Sequence, residues 1–271
     1  MDPVTLVGIA VALGALLVAM LMEGASPLAL VLLAPILLVF GGTVGAAMAG
    51  STMSDLRRLG RWFRLALTPV KLPPVSDRIA TLVELAGRAR REGLLALDRH
   101  LSSVPDPFLR RGLQLAIDGV DPDHLRAVLE GEIAARRSED KVAARFFAQM
   151  GGYAPTIGII GTVVGLIQVL SALSDTGSIG SLVGGAFVAT LWGVLSANFF
   201  WLPMSERILR TAELRSAQLE LLLTGIAEIQ AGTSPRAMQQ RLTSLLPPSE
   251  QKDPAAPQPS HARVGPLQRG L

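Results

Sequence analysis

The sequence predicts an all-α membrane protein: four apolar spans and a helical part outside the bilayer. Three observations carry this. Of 271 residues, 49% are hydrophobic and only 17% are charged, a balance far from that of an ordinary soluble domain. The apolar residues are gathered into long runs. Between Arg145 and Glu206 there is no Lys, Arg, Glu or His, and the only Asp is Asp175.

Two apolar runs fill that stretch, Tyr153–Leu173 and Leu182–Leu202, on either side of the polar break Ser174–Ser181. Each is about 21 residues, and at 1.5 Å per residue each reaches about 30 Å, the thickness of a hydrocarbon core. Small residues recur in steps of four: Gly161 and Gly165 in the first run, then Gly185, Ala189, Gly193 and Ala197 in the second. Such a strip lets helices approach closely, and packing then drives association in lipid.

The N-terminal 50 residues hold the other pair. Val4–Met22 is continuous and apolar, Glu23-Gly24-Ala25-Ser26-Pro27 breaks it, and Leu28–Ala49 follows. Met1-Asp2-Pro3 lacks a basic n-region, so the first run reads as a retained span rather than a leader. Pro35 is expected to kink the second, and Gly41, Gly45 and Ala49 repeat the small-residue spacing.

Charge sets the topology. All 25 Lys and Arg lie in Arg57–Arg145 and Arg207–Arg269, whereas the turns 23–27 and 174–181 carry only acidic charge. The positive-inside rule then puts 51–152 and the C-terminal part in the cytoplasm, with both termini inside.

Segment 51–152 reads as helical. Arg57, Arg58, Arg61, Trp62 and Arg64 follow the membrane exit, where basic side chains snorkel and meet anionic headgroups. After Leu72-Pro73-Pro74, Ser76-Asp77 is expected to cap a helix carrying Ile79, Leu82, Val83 and Ala86 on one side. Asp121-Pro122 pairs an N-cap acceptor with proline at the first helical position, opening a helix that runs on toward the third span, with Pro155 expected to kink it. Beyond Pro203, residues 204–245 read as an amphipathic helical extension, with Ile208, Ala212, Leu219 and Leu222 on one face. From 246 to 271 proline dominates, and that tail is expected to be disordered.

No enzyme signature survives: there is no GxxxxGK[ST], GxGxxG after a strand, HExxH or GxSxG. The three histidines are scattered and cysteine is absent, so no metal, disulfide or cofactor is expected. A net charge of +3 gives no basis for nucleic-acid binding. The spans hold no ionisable group, which a proton relay needs despite a cost of roughly 2.5–3.5 kcal/mol at mid-bilayer. They do hold hydroxyls: Thr43, Thr156, Thr162, Ser171, Thr190 and Ser196. These can line a wet path, or simply bond the i−4 carbonyl of their own helix. Such a chain either moves no ion or lends walls to a partner that brings the acid.

Over about residues 1–230 the sequence resembles the MotA subunits of the bacterial flagellar motor stator, within the MotA/TolQ/ExbB group. The resemblance lies in the run from Ala154 to Leu166, in Ala189-Thr190-Leu191-Trp192-Gly193 through Ala197-Asn198 to Leu202-Pro203, and in Arg90-Arg91-Glu92-Gly93-Leu94-Leu95-Ala96-Leu97. It implies a homo-oligomeric ring, a pentamer, in the bacterial inner membrane around a MotB-like partner whose aspartate binds the ion. Protons are favoured over sodium because they are commoner in the family. By position, Pro155 and Pro203 would couple ion binding to cytoplasmic motion, and Thr162 and Thr190 would line the ion path. Arg90, Arg91 and Asp98 would face the rotor protein FliG. Asp98 stands where the family often has glutamate, Ala189 where it often has threonine, and Trp192 where it often has tyrosine. The alternative within the group is a TolQ- or ExbB-like energiser of envelope transport.

Overall fold

The computed structural model describes residues 3–69, 72–174, 176–249 and 251. Met1-Asp2, Val70-Lys71, Asp175, Glu250 and the proline-rich stretch 252–271 lie outside the described residues. Every regular element among the described residues is helical. They group into two compact units that do not follow chain order: Met1–Leu72 with Glu130–Leu219, and Pro73–Leu129 with Glu220–Leu271. The segment 51–152 is thereby divided, its first and last parts grouping with the apolar helices.

In the first unit, α1 (Pro3–Met22) is a single apolar helix. The second apolar run is less uniform than its composition suggests. A 3₁₀ turn (Pro27–Leu30) is followed by α2 (Leu33–Ile36), a π-helical turn (Leu37–Gly41) and α3 (Gly42–Ala49). Pro35 lies within the short α2, directly before the wide turn, where it offers no N–H to the preceding carbonyls. Thr52 then caps α4 (Met53–Leu56) reciprocally with Asp55, and α5 (Leu59–Leu67) buries Trp62 and Ala66 while exposing Arg61 and Arg64.

The long α8 (Pro122–Ser171) is one helix of 50 residues with Pro155 inside it. Its start is the one expected: Asp121 Oδ1 accepts from the N–H groups of Asp123 (3.0 Å) and His124 (3.2 Å). After α9 (Thr176–Ser196), a π-helical turn (Ala197–Trp201) leads into α10 (Leu202–Gln230). The Leu202 N–H donates to Ala197 O, five residues back, and Pro203 follows without a donor of its own. Aromatic side chains fill the core of this unit. Phe63 and Phe147 meet edge-on at 5.1 Å, Trp62 lies 5.5 Å from Phe146, and Trp201 and Ile208 are buried with them.

In the second unit, α6 (Val75–Glu92), a 3₁₀ segment (Leu94–Ser103), α7 (Pro107–Ile117) and α11 (Pro235–Ser244) bury Leu82, Leu97, Phe108, Leu113, Met238 and Leu242. Asp106 and Pro107 start α7 as Asp121 and Pro122 start α8, with Asp106 accepting from Phe108 N–H at 2.9 Å. At α6 the cap expected from Ser76-Asp77 does not form. The helix begins earlier, at Val75 after Pro74, so both residues fall inside its first turn. Ile226 and Leu82 pack on Gly112 and Gly225, where only a hydrogen leaves room for them.

Among the described residues, Pro122–Ser171 and Gly177–Gln230 contain stretches long and apolar enough to cross a membrane, while Val7–Met22 and Leu33–Ala49 are shorter apolar helices.

Candidate functional site: a hydroxyl pair in an apolar seam

The α8–α9 seam is built from residues that lack bulk. A methyl placed on Gly161 would meet Ala189 Cβ at 2.6 Å, and one on Gly165 would meet Ala186 Cβ at 2.6 Å. At Gly158 the nearest atoms are backbone, Ala189 O and Thr190 Cα, both at 3.0 Å. Gly193 is tighter still, with Ala154 O at 2.7 Å and Pro155 Cα at 3.3 Å from a methyl there. The contact is therefore backbone on backbone, the geometry that small residues permit between membrane helices. The expected ladder is partly redrawn. Gly158 and Ala186 belong to the seam, whereas Gly185 has only Leu32 near it, at 3.9 Å.

Close approach delivers two hydroxyls to each other. Thr162 Oγ1 is hydrogen-bonded with Thr190 Oγ1. Thr162 also has Gly158 O at 3.3 Å and Ala186 O at 3.2 Å within donor reach, and Thr190 has Gly158 O at 3.2 Å. Four oxygens thus converge between two apolar runs that carry no charged side chain. The other hydroxyls mostly take the local option: Thr156 donates to Tyr153 O at 2.7 Å, Ser171 to Ile167 O at 3.0 Å and Ser196 to Gly193 O at 3.2 Å. Thr43 is fully buried and its Oγ1 has no hydrogen-bond partner.

Pro155 borders this seam opposite Gly193, and Pro203 follows the wide turn at the far end of α9. Trp192 is anchored across the fold, its Nε1–H donating to Leu30 O at 2.8 Å, which satisfies a carbonyl freed where the 3₁₀ turn ends. Nothing in the sequence announced that bond. Gly158 was more legible, since Gly158, Gly161 and Gly165 are three and four residues apart and share one helix face.

The charged candidates lie in the second unit. Arg90 and Arg91 occupy the last turn of α6, where cations favour the helix C-terminus. Gly93, at φ 87°, ends the helix in a conformation that favours glycine. The 3₁₀ segment then presents Asp98 while burying Leu97 and Leu101. Arg90, Arg91 and Asp98 are all exposed. Glu84 pairs with Arg88 at 2.6 Å, which leaves Arg90 without an ion-pair partner among the described residues.

Arrangements of titratable groups are sparse. Among the described residues no group of three His, Cys, Asp or Glu side chains could hold a metal. Burial raises the Asp140 carboxyl above its usual range, and Arg215 beside it only partly offsets this. The hydroxyl seam can hydrogen-bond water or solvate a cation, but it cannot take up and release a proton as a carboxylate does.

A model of the MotA/TolQ/ExbB proton channel family matches residues 100–221. Motility protein A of Bacillus subtilis (strain 168) is 34% identical over 247 residues, which cover 91% of this chain and 92% of that protein. Chemotaxis protein PomA of Vibrio alginolyticus is 30% identical over 250 residues, 91% of this chain and 96% of that one. Among solved structures, the flagellar MotAB stator complex from Bacillus subtilis superposes with a TM-score of 0.85 at 33% identity, covering 92% of this chain and 98% of its counterpart. C. jejuni MotAB gives 0.87 at 25% identity, covering 95% and 100%. Two long apolar helices, a glycine seam and relatives that match over most of their length agree: the chain belongs to the MotA/TolQ/ExbB proton channel family and, within it, to the flagellar stator subunits of the motility protein A kind.

Proposed function

We propose that this stator subunit forms one wall of an ion path completed by a second, MotB-like chain, and that the missing acid is an aspartate on that chain. The carrying observation is the Thr162–Thr190 pair, a cluster of oxygens between two apolar runs that hold no Asp, Glu, Lys, Arg or His. Hydroxyls and carbonyls can stabilise a passing cation or hydronium, whereas proton uptake and release require a titrating group. That two solved relatives are MotAB complexes supports a partner of this kind.

Val7–Met22 and Leu33–Ala49 complete four spans in the bacterial inner membrane, with both termini in the cytoplasm and the charged segments on that side. Copies of the chain assemble as a ring, a pentamer, around the partner's helices. Apolar side chains such as Ile159, Val163 and Leu170 stand exposed on α8, and lipid or neighbouring protein would cover them. Protons drive the motor, Pro155 and Pro203 transmit the movement, and Arg90, Arg91 and Asp98 push on FliG.

Replacing Thr162 and Thr190 together by valine keeps shape and removes both oxygens. The expected outcome in cells is loss of swimming with normal membrane levels and normal co-purification with the partner, while the Thr→Ser pair retains motility. Full motility of the valine pair would remove the hydroxyls from the ion path.

A further inference from the structure

A cavity of about 450 Å³ opens in the first unit, where α5 meets α8 near Glu139 and α10 at Arg215. Arg61, Arg64 and Arg215 line it with Glu139 and Asp140. The charges do not cancel. Glu139 takes Arg61 at 2.9 Å and lies 3.8 Å from Arg58, and Asp140 lies 3.6 Å from Arg215. Three guanidinium groups thus line the cavity with two carboxylates, and Arg64 has no ion-pair partner among the described residues. The surplus calls for an anion. Planar forks converging from two helices suit a tetrahedral oxyanion better than a single carboxylate.

Depth identifies what carries that oxyanion. The charge-free stretch begins at Phe146, and Asp140 precedes it by six residues, about 9 Å of helix. Headgroups occupy about 5–8 Å beyond the hydrocarbon on each side, within reach of an arginine side chain. Helix α5 packs Trp62 and Ala66 into the protein core beside Phe146, which turns Arg61 and Arg64 outward close to that boundary.

We propose that this cavity binds the phosphate of an anionic phospholipid headgroup, held by Arg64 and Arg215, with Arg61 exchanging between the phosphate and Glu139. The site rests on the chain's membrane placement alone, so it stands or falls independently of the ion path and the rotor contact. Glu139 competes with the phosphate for Arg61, and Asp140 competes for Arg215. Removing either carboxylate therefore frees a guanidinium for the ligand.

The test is native mass spectrometry of the full chain in detergent, titrated separately with phosphatidylglycerol and phosphatidylcholine, and with inorganic phosphate as competitor. Phosphatidylglycerol should be retained in preference to phosphatidylcholine. Arg64→Gln should weaken that retention about fivefold and Arg215→Gln by a similar factor. Glu139→Gln should strengthen it, a change of sign that misfolding would not produce. Because Arg64 is exposed and unpaired, its variant reads binding without endangering the fold. Equal retention of the two lipids, or retention unchanged in Arg64→Gln and Glu139→Gln, would overturn the site. Displacement of phosphatidylglycerol by millimolar inorganic phosphate would assign it to a free anion and overturn the lipid assignment.

Discussion

One added carbon at Gly193 tests the seam where it is least able to yield, because its nearest neighbours are backbone atoms that cannot rotate aside, Ala154 O at 2.7 Å and Gly158 Cα at 3.1 Å. Gly193→Ala should lower the stability of the detergent-solubilised chain by about 1–3 kcal/mol. Gly131→Ala, on an exposed turn of α8 with nothing within 4 Å, should raise it by up to about 1 kcal/mol. Thermal unfolding of the two variants checks this, and the reverse order would contradict the packing described. Asp140 gives the pH dependence. Its folded-state pKa is raised, chiefly by burial, so the folded state holds the proton more tightly than the unfolded chain. Stability from this group is therefore fully present below the ordinary aspartate value, near 4, and is lost as pH climbs through the raised one. Asp140→Asn should raise the unfolding midpoint at pH 7 and leave it unchanged near pH 3. A lowered midpoint at pH 7 would show that the Arg215 pair outweighs desolvation. At this scale the sequence exposed the hydroxyls and small residues but not their partners. A spacing of three or four names a face, and only the rotation of α8 against α9 decides that Thr162 and Thr190 meet while Thr156, Ser171 and Ser196 turn back to their own helices.

Helix starts with an acidic cap and a proline were legible as elements, because Asp106-Pro107 and Asp121-Pro122 meet a local requirement that packing does not override. Ser76-Asp77 failed for an equally local reason, since Pro74 had already opened the helix. The two π-helical turns were not legible. Each accommodates one extra residue without changing composition, and only the nearby Pro35 and Pro203 hint at them. The α6 end with its 3₁₀ continuation carries the rotor proposal. An exposed ion pair in water contributes roughly 0–1 kcal/mol, which suits contacts made and released at every step. Arg90→Glu with Asp98→Lys should abolish or strongly reduce torque in a tethered-cell assay. Membrane insertion and ring assembly should stay normal, because both side chains are exposed and neither takes part in a described ion pair. Normal torque in the double variant would reject the rotor-contact role.

For the whole molecule, composition was a sound guide to class: a helical membrane chain, in agreement with relatives that match nearly end to end. It was a poorer guide to grouping. Stretches far apart in the chain share a unit, Pro73–Leu129 with Glu220–Leu271, because burial follows helix faces and not sequence order. Across the whole chain, the two long apolar runs 153–173 and 182–202 carry no Asp, Glu, Lys, Arg or His, so the proposed ion path has no acid of its own. Reconstitution into liposomes under an imposed proton gradient tests it directly, comparing the chain alone with the chain plus its MotB-like partner. Flux is expected only when both are present, and should be lost when the partner's aspartate is changed to asparagine. Proton flux through the lone chain at the rate of the assembled complex would contradict it.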